Sequence, residues 1–406
     1  MLDKIFTPES VAVIGASRTP GKLGYDIVSN LKQIGFTGSI IPVNPAGGEL
    51  SGLQVYKSLT DYPETVDLVI IVLPAPLVLQ AAKDAVRKKA GGVVVISAGF
   101  SESGEEGREA EQELVKIVTA GGGRLLGPNC LGLMNTANNL NGFFAGSMPK
   151  QGSIAVFSQS ATLCMTMLEM AARRNLGLSK LVSLGNKADL SEVDLLKFLA
   201  RDKATSVIVG YLEDISSGDR FVKAAEEAGN TKPVILLKAG TTAAGRKAAA
   251  GHTGVRVEED TAYGAAFKRS GVCRADSFEA LYDYATAFAT QPVINGNRIL
   301  IITNAAGPGI MAADAVERAG MEVAVLDSNS STALRAESPA AASAGNPIDV
   351  LGNADPERYV AAFTAAQQDA AVDGILVLFT PQLMTRPAET AQAIADNMDG
   401  SKPVLA

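Results

Sequence analysis

A chain of 406 residues, 47% hydrophobic, is too long for one ordinary core and predicts two or three domains. A formal net charge of −7 without a basic stripe, 5% aromatic residues and no tryptophan argue against a nucleic-acid surface or base-stacking platforms. No apolar run reaches the roughly 18 residues of a membrane span and the start MLDKIFTPES lacks a secretory pattern, so the expectation is a cytoplasmic α/β protein acting on a small molecule.

Residues 10–16, SVAVIGA, read as a buried strand ending in glycine, followed by an amphipathic helix over 25–34 that Gly35 closes. The strand SIIPVN leads into Pro45; DLVIIVLP (67–74) precedes a helix over 76–89, and GGVVVISAGF (91–100) precedes one over 104–119. This alternation predicts a parallel, doubly wound sheet, whose ligands bind beyond the carboxyl ends of the strands. Gly15, Ala16, Ser17, Lys22, Asn44, Pro45, Pro74, Ser97, Ala98 and Gly99 stand at those ends. NAD is disfavoured: GASRTPGKLG lacks the GxGxxG spacing, and Asn44 occupies the place of the acid that binds a ribose 2′-OH. A nucleotide-like ligand with a different phosphate placement fits better, with Ser17 and Lys22 as candidate phosphate contacts.

LGPNCLGLM (126–134) reads as a turn feeding the next domain. Cys130 and His252 are a conceivable thiol–base pair, but nothing in the sequence pairs them, and a small, partly buried residue in a turn is the preferred reading of Cys130. Cys130, Cys164 and Cys273 are widely spaced and odd in number, which suits a reducing compartment and offers no CxxC metal pair.

SIAVFSQS (153–160) is a strand running into a helix over 161–173, with Ser158 or Ser160 as N-cap. Such a helix start is an anion site. LSKLVSLGNKADL supplies a strand and a Gly-Asn turn before a helix over 191–201, and SVIVGYLED (206–214) carries Glu213 near its carboxyl end. After the strand PVILLK comes KAGTTAAGRKAAAGHTG (238–254), which holds His252, the single histidine. This stretch of small residues has no hydrophobic stripe and reads either as a loop whose backbone N–H groups hold an anion beside His252 or as a solvent-exposed loop carrying an incidental histidine. A carboxylate beside an imidazole fixes its tautomer, so Glu213 is the candidate partner of His252 and a solvated strand-end charge is the alternative. A further helix runs from about 258 to 270, stopped by Gly271.

TQPVINGN is a linker, after which RILIITNAAGPGIMAADAVERAG repeats strand, Gly-rich turn and helix. The strand EVAVLD, a helix over 355–367, a strand from 373, a helix over 387–397 and PVLA follow. A parallel strand without a following helix suggests a domain cut short. Gly307-Pro308-Gly309 is assigned to close helix packing, because no Lys or Arg stands in that turn.

Together SVAVIGAS with GKLG, IPVNP, ISAGFSE, GPNCLG, FSQS, SLGNKADLSEVDLL, YLED, KAGTTAAGRKAAAGHTG, ITNAAGPGIMAAD and NPIDV resemble the NDP-forming acyl-CoA synthetases, or ADP-forming acetate–CoA ligases, relatives of succinyl-CoA synthetase. The resemblance covers nearly the whole chain in the family's order. It implies a Rossmann-like CoA-binding domain (1–127), a flavodoxin-like domain with a phosphohistidine loop (128–292) and a second, incomplete flavodoxin-like domain (293–406). It implies CoA held by the strand-end residues of the first domain, and phosphate held by Asn129, Ser158, Gln159, Ser160, Ala161, Thr253 and Gly254. His252 matches the phosphohistidine and Glu213 the carboxylate that orients it. The implied activity converts acyl-CoA, phosphate and ADP into a small carboxylic acid, CoA and ATP. It needs an ATP-grasp domain or beta-type subunit, carrying ADP or ATP with Mg, which this sequence lacks, and it implies an oligomer. Two departures stand out: Ala161 where the family has SQSG, and VRVE, with Arg256 and Glu258, where HTG is often followed by ALAG. The rival reading is a non-catalytic CoA-sensing module, such as the synthetase-like regulatory part of a protein acetyltransferase. Retention of the sole histidine in a matching loop favours the enzyme.

Overall fold

The computed structural model describes residues 2–144, 147–253, 259–337, 339 and 342–406, with backbone only for 251–253 and 337. The chain divides into two units, Met1–Ala289 and Thr290–Ala406.

The first unit contains two sheets. In the first, five parallel strands lie in the order Ser39–Val43, Ser10–Ile14, Leu68–Ile71, Gly92–Val95 and Arg124–Leu126. Alternate residues serve opposite faces. Val11, Val13, Leu68, Ile70 and Val94 join one core, and Ala12, Val69, Ile71, Val93 and Val95 the other. Both faces are covered, which is why these strands read as continuous apolar runs. The helix Leu23–Gln33 covers one face through Ile27, Val28 and Leu31; Ala75–Arg87 and Glu105–Ala120 cover the other. Each fully buried Leu, Ile or Val contributes about 1.5–3 kcal/mol before conformational entropy is subtracted. A small hairpin, Gly48–Leu50 with Leu53–Val55, had no sequence signal strong enough to separate it from the loop around it.

The second sheet runs Cys273–Ala275, Val234–Lys238, Val207–Leu212, Gln151–Ser158, Leu178–Ser183, Leu133–Asn135 and Leu140–Asn141. Its first five strands are parallel, and the last two are joined on by antiparallel pairings. The segment read as a connecting turn therefore leads into two short strands at one side of this sheet, Leu140–Asn141 forming its edge, both too short to show a period. The two sheets share a core that includes Val13, Leu126, Phe157, Leu195 and Leu196. Across them Arg124 Nε lies 2.9 Å from Asp189 and its Nη2 lies 3.1 Å from Asp194.

One expectation is corrected. The stretch after Lys238 is not a loop throughout: Ala243–Thr253 is a helix. Alanine is the strongest helix former, and an exposed helix needs no apolar stripe to exist. Thr242 starts it, its Oγ1 accepting the Gly245 N–H at 3.1 Å and its carbonyl the Arg246 N–H at 2.8 Å. Gly240, at φ +71°, makes the bend between strand and helix.

In the second unit the parallel strands Glu322–Val323, Arg298–Thr303, Gly374–Leu378 and Val404–Leu405 lie in that order, with Ile348–Asp349 also paired to Arg298–Thr303. Leu300 and Ile302 face a core with Tyr359 and Phe363, while Ile301 faces Ala312 and Val316. Gly307 and Pro308 belong to the first turn of the helix Ala306–Arg318; a Cβ on Gly309 would meet Thr303 Cγ2 at 2.9 Å, whereas one on Gly307 would meet nothing within 4 Å, so the close packing expected of this turn is made at Gly309.

Candidate functional site

The carboxyl ends of the first sheet surround a cavity of about 510 Å³. Gly15, Ser17, Lys22, Pro74, Ser97 and Ala98 line it, together with Asn129, Cys130, Leu131, Phe144 and Ala161. Residues expected to hold CoA and residues expected to hold phosphate thus share one cavity.

Local chemistry explains its walls. Gly15 has φ +96°, and a Cβ there would stand 2.2 Å from the Val72 carbonyl oxygen. Only glycine permits this approach of strand end to strand end. Lys22 is the exposed N-cap residue of Leu23–Gln33, and Pro74 opens Ala75–Arg87. Ser17 Oγ accepts the Thr19 N–H at 3.0 Å. Ser97 bonds Leu73 through its hydroxyl, and its carbonyl accepts the Asn129 N–H at 2.9 Å. Ala16 is buried behind the wall. Asn44 does not line the cavity: its amide donates to the Ala16 carbonyl at 2.7 Å and its oxygen accepts the Ala46 N–H at 2.9 Å, so it shapes the turn that carries exposed Pro45.

The second sheet contributes the helix Ala161–Arg173. Ser160 is its N-cap, its Oγ accepting the Leu163 N–H at 3.3 Å, and Ser158 Oγ donates to the Ser160 carbonyl at 2.7 Å. Ala161 is the first helical residue and is not among the residues with positive φ, so alanine in place of the family's glycine meets ordinary backbone at this turn. Gln159 faces the neighbouring strand end. Its side-chain oxygen Oε1 accepts the N–H groups of Glu213 at 2.9 Å and Asp214 at 3.2 Å, and its side-chain amide nitrogen donates to the Asp214 carboxylate. Glu213 is buried, with the Tyr211 hydroxyl 3.5 Å from Oε1, and burial, with this carboxylate second, pushes the Tyr211 phenol up.

His252 and Thr253 fall at the end of Ala243–Thr253, a helix that approaches the turn Ser101–Ser103 beside the cavity loop. The side chains of His252 and Thr253, and Gly254 altogether, lie outside the described residues. Lys238, on the preceding strand, is buried and stands 4.2 Å over the Tyr263 ring; burial pushes its ammonium down to about 8. Cys130 is buried with its thiol pushed up to about 12 by desolvation, which fits a packing residue rather than a nucleophile.

The Gly-Asn turn expected from SLGNKADL, Gly185-Asn186-Lys187, belongs to the site, a role its sequence does not announce. Gly185, at φ +61°, packs on Pro128 and Asn129, where a Cβ would lie 2.2 Å from the Pro128 oxygen. Asn186 bonds Asn129 at 3.2 Å, Ser101 Oγ at 3.1 Å and Glu111 at 2.8 Å. Glu102, also bonded to Asn186, accepts the Gly99 and Phe100 N–H groups. Although burial works to raise it, bonds from Asn186 and Gly99 hold this carboxyl below its usual range. The motif SLGNKADL signalled the turn, but its partners lie 57 to 85 residues away.

Comparison with known proteins assigns the fold to a class. Residues 9–136 match a CoA binding domain, 151–288 a succinyl-CoA ligase like flavodoxin domain and 299–402 a Ligase-CoA domain. The chain is 40% identical over 411 residues to the alpha subunit of the ADP-forming acetate–CoA ligase II of Pyrococcus furiosus, covering 100% of this chain and 89% of that one. It is 41% identical over 393 residues to the ADP-forming acetate–CoA ligase I of Archaeoglobus fulgidus, covering 97% of this chain but 57% of that protein. A solved dinucleotide-forming acetyl-coenzyme A synthetase 1 from Ca. Korarchaeum cryptofilum, in complex with phosphate and ADP, superposes with a TM-score of 0.96 at 36% identity, over 100% of this chain and 88% of that one. The chain belongs to the ADP-forming acetate–CoA ligase family of acid–thiol ligases, in the part that corresponds to the alpha subunit. These matches favour the enzyme over the CoA-sensing alternative. Among the described residues no helix is long and apolar enough to cross a membrane.

Proposed function

We propose that this chain is the CoA-binding and phosphoryl-carrying part of an ADP-forming acyl-CoA ligase, organised as domains 1–127, 128–292 and 293–406. The observation that carries the reading is the single cavity lined both by Gly15, Ser17, Lys22, Ser97 and Ala98 and by Asn129 and Ala161 at the start of the Ser160-capped helix. In it, acyl-CoA enters along the strand ends of the first sheet with Lys22 at the mouth, its thioester toward Asn129 and Ala161.

An oxygen of inorganic phosphate attacks the thioester carbonyl and the CoA thiolate leaves, giving acyl phosphate. An imidazole nitrogen of His252 then attacks phosphorus and the carboxylate leaves. Phosphohistidine passes the phosphoryl group to ADP on an ATP-grasp domain or beta-type subunit, where Mg is expected. Glu213 holds the opposite imidazole nitrogen, which makes the attacking one a better nucleophile. Phosphoryl transfer is limited by positioning and charge stabilisation, and the positive end of Ala161–Arg173 supplies a fixed favourable field with Ser158, Gln159 and Ser160 around it. Thr253 and Gly254 add donors beside the histidine. The acid is a small carboxylic acid, and a reducing cytoplasm suits three free thiols, Cys130, Cys164 and Cys273.

The test is incubation of the chain with acetyl-CoA and radiolabelled inorganic phosphate. Acid-labile label is expected on the wild type and not on His252→Ala. Label that survives the substitution would overturn the assignment.

A further inference from the structure

Lys187 is a buried cation that the chemistry above does not use. Its side chain is 3% exposed, and it occupies the left-handed region at φ 57°. Nζ lies 3.1 Å from Glu192 Oε2, 3.1 Å from Asp214 Oδ1 and 3.0 Å from the Asp214 carbonyl oxygen. Glu192 is fully buried, and its other oxygen accepts the Ser216 N–H at 3.1 Å. The Asp214 carboxylate is shared between Lys187 and the Gln159 amide, and Gln159 in turn accepts the Glu213 N–H at 2.9 Å.

A buried ion pair adds little net stability, because desolvation cancels most of the Coulomb attraction. What this one supplies is geometry. It ties the turn after Leu178–Ser183, the end of Val207–Leu212 that bears Glu213, and the Gln159–Ser160 corner that starts the helix Ala161–Arg173. We propose that Lys187 is the positioning residue for phosphoryl transfer: it holds Glu213 and the Ser160 helix start in fixed relation to each other. The inference rests on the phosphohistidine reading above. Its physical basis is that a tethered reaction is sensitive to small displacements, about a hundredfold in rate for roughly 1 Å.

The experiment uses the full chain with acetyl-CoA and radiolabelled phosphate, following the rate of acid-labile labelling alongside CoA affinity and circular dichroism. Lys187→Met combined with Glu192→Gln removes the cation without leaving two buried carboxylates unpaired. It is expected to fold and to bind CoA within about twofold of wild type, while labelling slows about a hundredfold. Lys187→Arg, which keeps the charge, is expected to recover part of the rate. Lys180→Met is the structural control, because Lys180 is equally buried and paired with Asp202 at 2.5 Å but lies away from the cavity; it is expected to label at the wild-type rate. If the double variant does not fold, Asp214→Asn tests the same link and is expected to show a smaller loss in the same direction. A folded double variant labelling at the wild-type rate would sink the proposal, as would an equal loss in Lys180→Met. Loss of the underlying reading has a different signature: label retained by His252→Ala.

Discussion

Gly24 packs so closely on Gly15 that a Cβ added to it would stand 2.1 Å from the Gly15 carbonyl oxygen. The helix Leu23–Gln33 can therefore start directly against the end of Ser10–Ile14, and this contact sets one wall of the cavity. Backbone cannot yield as a flexible side chain can. Gly24→Ala is expected to lower stability by about 1–3 kcal/mol through overpacking and to weaken CoA binding at least about tenfold, measured by calorimetric titration. Unchanged CoA affinity in the folded variant would remove this cavity as the CoA site.

Lys238 makes stability depend on alkaline pH. Burial is the main cause that lowers its ammonium from 10.5 to about 8, opposed by Asp214 and Asp260. Between those values the unfolded chain binds the extra proton, so unfolding free energy rises with pH across the window, and below its lower edge the full cost is present. Lys238→Met is expected to be more stable than wild type near neutral pH, by up to about 3 kcal/mol. That advantage should fade as pH approaches 10.5. Urea unfolding of both proteins at several pH values gives the difference directly, and a pH-independent difference would contradict the assignment.

The cysteines should separate by reactivity. Cys130 and Cys164 are buried with thiols pushed up by desolvation, whereas Cys273 is half-exposed and less perturbed. Alkylation of the folded chain followed by peptide mass spectrometry is expected to modify Cys273 first and to spare the other two until denaturant is added. Cys130→Ala should still accept label from phosphate and acetyl-CoA; loss of labelling there would revive the thiol as a reacting group.

Thr242 should control the helix that carries His252. Thr242→Ala removes the acceptor for the Gly245 N–H, held at 3.1 Å, a cap worth about 1 kcal/mol. Amide exchange over 243–250 is expected to quicken several-fold while global unfolding hardly moves. Equal protection in the variant would mean that the cap does not hold this helix.

Much of the fold was legible because parallel strands covered on both faces announce themselves as runs such as VAVI and LVII, each followed by an amphipathic helix. The illegible parts have physical causes. Leu133–Asn135 and Leu140–Asn141 are too short to display a period. Ala243–Thr253 has alanine's helix propensity but no stripe, so a reading based on hydrophobic periodicity took it for a loop. Asn44 ends a strand, but whether a strand-end amide faces a ligand or its own loop depends on the neighbouring carbonyl, here that of Ala16.

By itself the sequence determined the alternation of strand and helix, the glycines at strand ends, the order of the family motifs and the single histidine available for chemistry. Strand order was decided only in three dimensions. It set Gln159 against Asp214, 55 residues apart, and Lys187 against Asp214, 27 residues apart. The reason is that each parallel pairing is made through a crossover, so strand-end neighbours belong to separate local patterns. Only packing both faces of the sheet selects which of those ends meet.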